Sequence, residues 1–364
     1  MSIEPVVIIG GGVSGLHAAS LLTARGVSCI LLESRSRLGG RALSEKYQSG
    51  NHDAAQYFDL GPAWFWPDGQ PAITQLAQKL GVAVFPQFAA GAMRVERFRL
   101  EAPQSFVPDD SMVPDALRFR DGLQSLVTAM ADTIPTEAIQ LDARVTAVSR
   151  RDGGGATVTL ANGTRIDAHT VITALPLRII ASRITFDPPL PEELQQAMQA
   201  TPTWMAPHAK MLAVYDTPFW RAAGFSGMVS SMVGPLQEIH DASPPTGAGA
   251  LFGFVGIGAG ARAAIGEAGL RERVIAQLVR LFGEQAQSPT AVYFKDWATD
   301  EDTTTGADLE PSALPHGPGS PLFAEAHWDG ALLLAGAESA DEHPGYLEGA
   351  VRAAERAVAM ITPR

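Results

Sequence analysis

Cysteine is nearly absent: Cys29 is the single one in 364 residues. That excludes an internal disulfide and a cysteine-based metal site. Set inside an apolar run, Cys29 reads as a small buried hydrophobe. No apolar stretch reaches ~18 residues, so no membrane-spanning helix is expected. Basic runs are short, and 27 Lys and Arg against 39 Asp and Glu leave a formal charge of −12. This balance argues against nucleic acid and against an anionic membrane surface as partners. The chain opens on an apolar strand without a charged n-region, h-region or cleavage site, so a cytoplasmic location is expected. His208, His316 and His343 are scattered without metal-ligand spacing, so no metal is expected. No Ser–His–Asp pattern and no carboxylate pair stands out. What is plentiful is apolar side chain, 46% of residues, and glycine, with 36. The length suits two domains, or one with an insertion.

The densest signal lies near the start. The apolar run Ile3 to Ile9 has strand length. Gly10-Gly11-Gly12-Val13-Ser14-Gly15 follows, then a helical pattern from Leu16 to Arg25. A second apolar run, Val27 to Leu32, ends on Glu33. Strand, glycine-rich turn, helix, strand and acid is the order a dinucleotide-binding unit needs. Gly10 turns the chain out of the strand, Gly12 lets backbone approach a pyrophosphate, and Gly15 lets helix pack on sheet. The amides of Val13 and Ser14 open the helix and present free N–H groups to phosphate. Glu33, about 20 residues beyond the turn, is placed to accept from a ribose hydroxyl.

The stretch LLESRSRLGGR, residues 31–41, resembles the E-x-R-x-R-x-G-G-R continuation of the flavin-containing amine oxidase superfamily. That group holds monoamine, polyamine and L-amino-acid oxidases. The resemblance implies FAD bound through Arg35, Gly40 and Arg41, with Arg41 on the pyrophosphate. A guanidinium suits that bidentate task better than an ammonium. Further segments resemble the family along the whole chain. Gly61-Pro62-Ala63-Trp64 matches the segment that runs beside the flavin ring, with Pro62 where the family has a second glycine. Val145 sits where the family lays a strand beside the adenine. Lys210, in H-A-K-M-L-A-V-Y-D-T-P-F-W-R, matches the lysine that holds a water against flavin N5 and assists reoxidation by oxygen. Trp297, in K-D-W-A, matches a flavin-proximal tryptophan. Gly336 and Glu338, then Gly345-Tyr346-Leu347-Glu348-Gly349-Ala350, resemble the C-terminal signature. There Tyr346 would orient the amine and the Leu347 amide would face the flavin C2 carbonyl.

The implied fold is α/β: a Rossmann-like, doubly wound FAD-binding domain carrying a mixed α+β substrate domain. The expected FAD-binding domain is discontinuous, 1–75, 119–185 and 296–364. The expected substrate domain is 76–118 and 186–295. The implied activity is oxidation of a small-molecule amine or amino acid by hydride transfer from its α-carbon to flavin N5. Molecular oxygen is the expected acceptor, giving hydrogen peroxide. The family's covalent cysteine has no counterpart in Thr303 to Ala307, so FAD is expected to be non-covalent. The second aromatic of the family's substrate cage is also missing there, which leaves one expected aromatic wall. Two other readings stay open: a desaturase-like or protoporphyrinogen-oxidase-like enzyme acting on C–C bonds, and a flavin-binding partner protein without turnover.

Periodicity adds five local expectations. Ile139 to Ser149 reads as a short strand, and Leu270 to Phe282 reads as an amphipathic helix. Residues 235–248 read as a loop. Residues 302–321 read as a long Thr-, Pro- and Gly-rich loop, of a length uncommon unless functional or mobile. Glu348 and Arg352 read as a solvent-side pair on the closing helix.

Overall fold

The computed structural model describes residues 4–48, 54–109, 115–309 and 320–361. Ile3, His316 and half of the 302–321 stretch, residues 310–319, lie outside them.

A five-stranded parallel sheet sits at the centre of the half that carries the glycine-rich turn. Its order is Leu332–Leu334, Thr170–Thr173, Val6–Ile9, Cys29–Leu32 and Ile139–Gln140. Val6–Ile9 is buried on both faces, and its parity serves two cores. Val6 and Ile8 pack with Leu16, Leu126, Val351 and Val358. Val7 and Ile9 pack with Val148, Val171 and Leu334. A strand buried on both faces reads as a continuous apolar run, which is why Val6–Ile9 was legible. The helices Val13–Ala24 and Leu347–Ala359 cover one face together. A four-stranded sheet, Arg165–Ala168, Ala156–Leu160, Val145–Arg150 and Thr185–Asp187, supports the other.

The other half is a seven-stranded mixed sheet. Its order is Ala291–Asp296, Ala209–Tyr215, Gly249–Val255, Leu236–Asp241, Phe225–Ser231, Ala92–Glu96 and Gln104–Phe106. Side chains alternate across Ala209–Tyr215. Ala209, Met211, Ala213 and Tyr215 pack with Leu270, Val274 and Leu278 of the helix Ala259–Phe282. Leu212 and Val214 take the opposite face, with Tyr47, Phe58 and Leu60. Lys210 has the parity of this second set, so it turns toward the side that holds Tyr47, Phe58 and Leu60.

Four sequence expectations change. Residues 235–248 are not all loop: Leu236–Asp241 is an interior strand of the seven-stranded sheet, its Leu236 and Ile239 buried. Flanking prolines and the polar Glu238 and His240 hid it. The run Ile139–Ser149 divides into two strands of different sheets. The helix expected over 270–282 begins at Ala259, with a break at Gly266, where φ is 74°. Glu348 does not face solvent. It is fully buried and accepts the Ala72 and Ile73 amides at 3.1 and 2.9 Å, opening the helix Pro71–Lys79. Arg352 still donates to it at 2.7 Å.

Candidate active site

The glycine-rich turn folds as its spacing demands. Gly10 has φ of 108°, which an L side chain rarely adopts. A Cβ on Gly15 would lie 1.9 Å from the Gly10 carbonyl oxygen, so only glycine lets helix and strand approach this closely. A Cβ on Gly12 would meet nothing nearer than the Gly39 oxygen at 4.0 Å. That side of the turn opens into a cavity. Gly10, Gly12, Val13, Ser14, Glu33, Arg35, Gly40, Arg41, Pro62, Val145, Tyr346 and Leu347 all line it. Glu33 is buried and accepts the Gly11 and Arg35 amides at 2.7 and 2.9 Å. Ser14 Oγ donates to the Ala335 carbonyl. Free helix N–H groups, a bare glycine wall, a buried carboxylate and two arginines are the donor and acceptor set a dinucleotide requires.

Two arginines are tied down. Arg41 makes a bidentate pair with Glu338, at 2.6 and 3.0 Å, and donates to the Trp204 carbonyl at 3.1 Å. Glu338 also accepts the Trp204 amide at 3.2 Å. Arg35 pairs with Asp300 and donates to Thr303 Oγ1 at 3.2 Å. Gly15, Gly336 and Glu338 do not line the cavity. Gly15 and Gly336 bring backbones together, since a Cβ on Gly336 would lie 2.1 Å from the Leu175 oxygen. Glu338 orients Arg41 from behind.

A second cavity adjoins the first. Arg41, Pro62, Thr303, Gly345, Tyr346 and Leu347 line both. Gly61, Ala63, Trp64, Lys210 and Trp297 line the second. Lys210 is 2% exposed. Its Nζ donates to the Gly61 carbonyl at 3.1 Å and lies 3.9 Å from the centre of the Phe252 ring. Burial pushes its pKa down to about 7, opposed by Asp59 and reinforced by Arg118. Trp297 Nε1 donates to the Leu60 carbonyl at 3.1 Å. Residues 60 and 61 are therefore held from two sides. Burial raises the Tyr346 phenol, and burial beside Arg262 lowers His208, which lines the second cavity.

The single aromatic wall expected from sequence is enlarged. Trp204 stands 5.4 Å from Tyr346 at an interplanar angle of 31°, and Trp66 meets Tyr346 edge-on at 6.4 Å. Both tryptophans line the second cavity. His343 touches Tyr346 edge-on at 6.1 Å and lines neither cavity. Two residues escaped the sequence reading, Trp204 and Arg118, and Asp59 reads there only as the start of the segment that leads into Gly61. Asp59 stands two residues before Gly61, which is a usable signal; Arg118 sits in a three-residue strand with none. Among the described residues no His, Cys, Asp and Glu group is arranged to hold a metal, and no helix is long and apolar enough to cross a membrane.

Comparison with known proteins agrees with this geometry. The family model described as flavin containing amine oxidoreductase matches residues 88–362. A second, NAD(P)-binding Rossmann-like domain, matches residues 8–80. AofH of Mycobacterium tuberculosis, assigned by name to the flavin-containing monoamine oxidases, is 29% identical, over 98% of this chain and 96% of its own. An L-amino acid dehydrogenase of Synechocystis is 27% identical, over 98% and 94%. Among solved structures, cyclohexylamine oxidase from Brevibacterium oxydans superposes with a TM-score of 0.82 at 18% identity, covering 98% of both chains. A putrescine oxidase with bound putrescine gives 0.80 at 22%, again over 98% of both. With three quarters of its length inside the first model and a Rossmann-like unit ahead of it, the chain belongs to the flavin containing amine oxidoreductase family.

Proposed function

We propose that the chain holds FAD non-covalently along the two joined cavities and uses it to oxidise the C–N bond of a small-molecule amine or amino acid, with oxygen as acceptor. The division into a FAD-binding domain of 1–75, 119–185 and 296–364 and a substrate domain of 76–118 and 186–295 belongs to this reading. Bound FAD supplies the acceptor for a hydride from the amine's α-carbon; water hydrolyses the imine, and oxygen takes up the electrons as hydrogen peroxide.

The remaining work falls to side chains of this chain. Glu33 receives the ribose hydroxyls. The Val13 and Ser14 amides, Arg41 and the Glu338 behind it hold the pyrophosphate. Gly61 to Trp64, Trp297 and Leu347 flank the ring. Tyr346, with Trp204 and Trp66, forms an apolar wall that orients the amine and excludes water. Lys210 gives and takes a proton at Nζ near neutral pH, and its positive form stabilises negative charge passing to oxygen. Thr303 to Ala307 offer no thiol, and Cys29 is buried away from both cavities, with its Sγ turned toward the Ala19 carbonyl.

One observation carries the reading: a lysine buried on the wall of the second cavity, bonded to the carbonyl of a glycine that lines the same wall. Rapid mixing of Lys210→Met with amine under argon, and of its reduced form with oxygen, tests it. We expect reoxidation to slow by about 10-fold or more, with reduction much less affected. Equal slowing of both half-reactions removes the role given to Lys210.

A further inference from the structure

We propose that Asp59 and Arg118 are positioning residues that set, in opposite directions, whether Lys210 carries its proton. The proposal rests on the function above only for its consequence in turnover. Asp59 ends the strand Gln56–Asp59, two residues before the carbonyl that receives Lys210. It is buried. Its Oδ1 accepts from Ser44 Oγ at 2.6 Å and from the Leu123 amide, which opens the helix Leu123–Ala131, at 2.8 Å. Its Oδ2 is buried with no partner among the described residues. Arg118, on the strand Leu117–Phe119, is buried too. It donates to the Ser243 and Ala242 carbonyls at 3.0 and 2.9 Å, and its Nε has no partner among the described residues.

So a carboxylate, a guanidinium and an ammonium are all buried, and none of the three makes a contact ion pair among the described residues. A lone buried charge is costly. Three buried together compensate one another through a low dielectric, across distances longer than contact. Burial pushes the Asp59 carboxyl above the usual carboxylate range, and the Ser44 and Leu123 donors, with Arg118 and Lys210, pull it back toward its ionised form. Arg118 reaches the Ala242 carbonyl, and Ala242 packs in one cluster with Phe252, the ring beneath Lys210 Nζ. In its ionised form Asp59 favours the charged lysine, and Arg118 opposes it.

The other charges around the site are already paired. Lys295, opposite Lys210 on the neighbouring strand, is bound to Asp300 at 2.8 Å. Asp241, beyond Arg118, is held by Arg221 at 2.7 Å and by Trp220 at 2.9 Å. His208, two residues before Lys210, is held toward its neutral form by burial beside Arg262.

The chain has only four lysines, Lys46, Lys79, Lys210 and Lys295. This makes a direct titration feasible. Holoenzyme labelled with ε-carbon-13 lysine is titrated by NMR, with Lys210→Met identifying the signal. In the parent the Lys210 signal should titrate near pH 7. Asp59→Asn should move its midpoint down by about one unit, and Arg118→Gln should move it up by about as much. The alkaline limb of the reoxidation rate should follow each shift. Unmoved midpoints, or shifts of the same sign, overturn the proposal, because loosened packing would let water in and raise both. If Asp59→Asn fails to fold, Arg118→Gln decides: an upward shift supports the proposal and an unmoved midpoint overturns it. Opposite shifts with unchanged oxygen reactivity in Lys210→Met would instead defeat the proposed function and leave this inference standing.

Discussion

A lysine costs most where water cannot reach it, and Lys210 lies in the wall between two halves of the molecule with one carbonyl and two aromatic rings for company. An unfolded lysine titrates near ~10.4, whereas Lys210 titrates at about 7. Between those values the unfolded chain holds a proton that the folded chain does not, so stability rises with pH across that window. The penalty is complete below about 7 and gone above the unfolded value. Lys210→Met should therefore be more stable than the parent at pH 6, by an amount on the order of 3 kcal/mol, with the gap closing toward pH 10. Chemical denaturation of the apoprotein across pH measures this. A parent as stable as the variant at pH 6 would mean that the ammonium is solvated.

Among elements, the parts that repeat a local rule were legible and those defined by distant partners were not. Val6–Ile9, the glycine-rich turn and the helix Val13–Ala24 carry their geometry in consecutive residues, so sequence locates them closely. Lys210 stood out because its neighbours on both sides are apolar. Leu236–Asp241 is a strand only because Gly249–Val255 and Phe225–Ser231 flank it, and its flanking prolines and its own charges argue otherwise. Glu348 was misplaced for the same reason. Its i, i+4 partner is in sequence, but the two amides that bury it come from a helix some 275 residues away. Trp204 and Arg118 likewise act on segments far along the chain.

Glu348 thus joins the first and last thirds of the chain by capping one helix with a side chain of another. Glu348→Gln turns one acceptor into a donor facing an amide N–H. It should destabilise the fold by about 1–3 kcal/mol. Glu355, on the same helix, is half exposed with His17 at 3.4 Å, so Glu355→Gln should change stability by less than about 0.5 kcal/mol. Thermal or urea unfolding distinguishes the two. Equal, small effects would mean that the Glu348 cap contributes little.

At the scale of the whole molecule, the parallel sheet presents a dinucleotide cradle and the seven-stranded sheet presents Lys210. Pro62 and Gly345–Leu347 lie at the seam where the two cavities meet. With no thiol at that seam, acid precipitation of the yellow protein should leave all of its FAD in the supernatant. Flavin that stays with the pellet would show a covalent link through another side chain.

The most direct measurement follows the visible flavin band of the holoenzyme under argon while a panel of primary amines, diamines and amino acids is added. The account predicts that at least one of them bleaches the band and that admitting oxygen restores it with hydrogen peroxide formed. A band that no amine or amino acid in the panel changes, in protein shown to hold FAD, would contradict it.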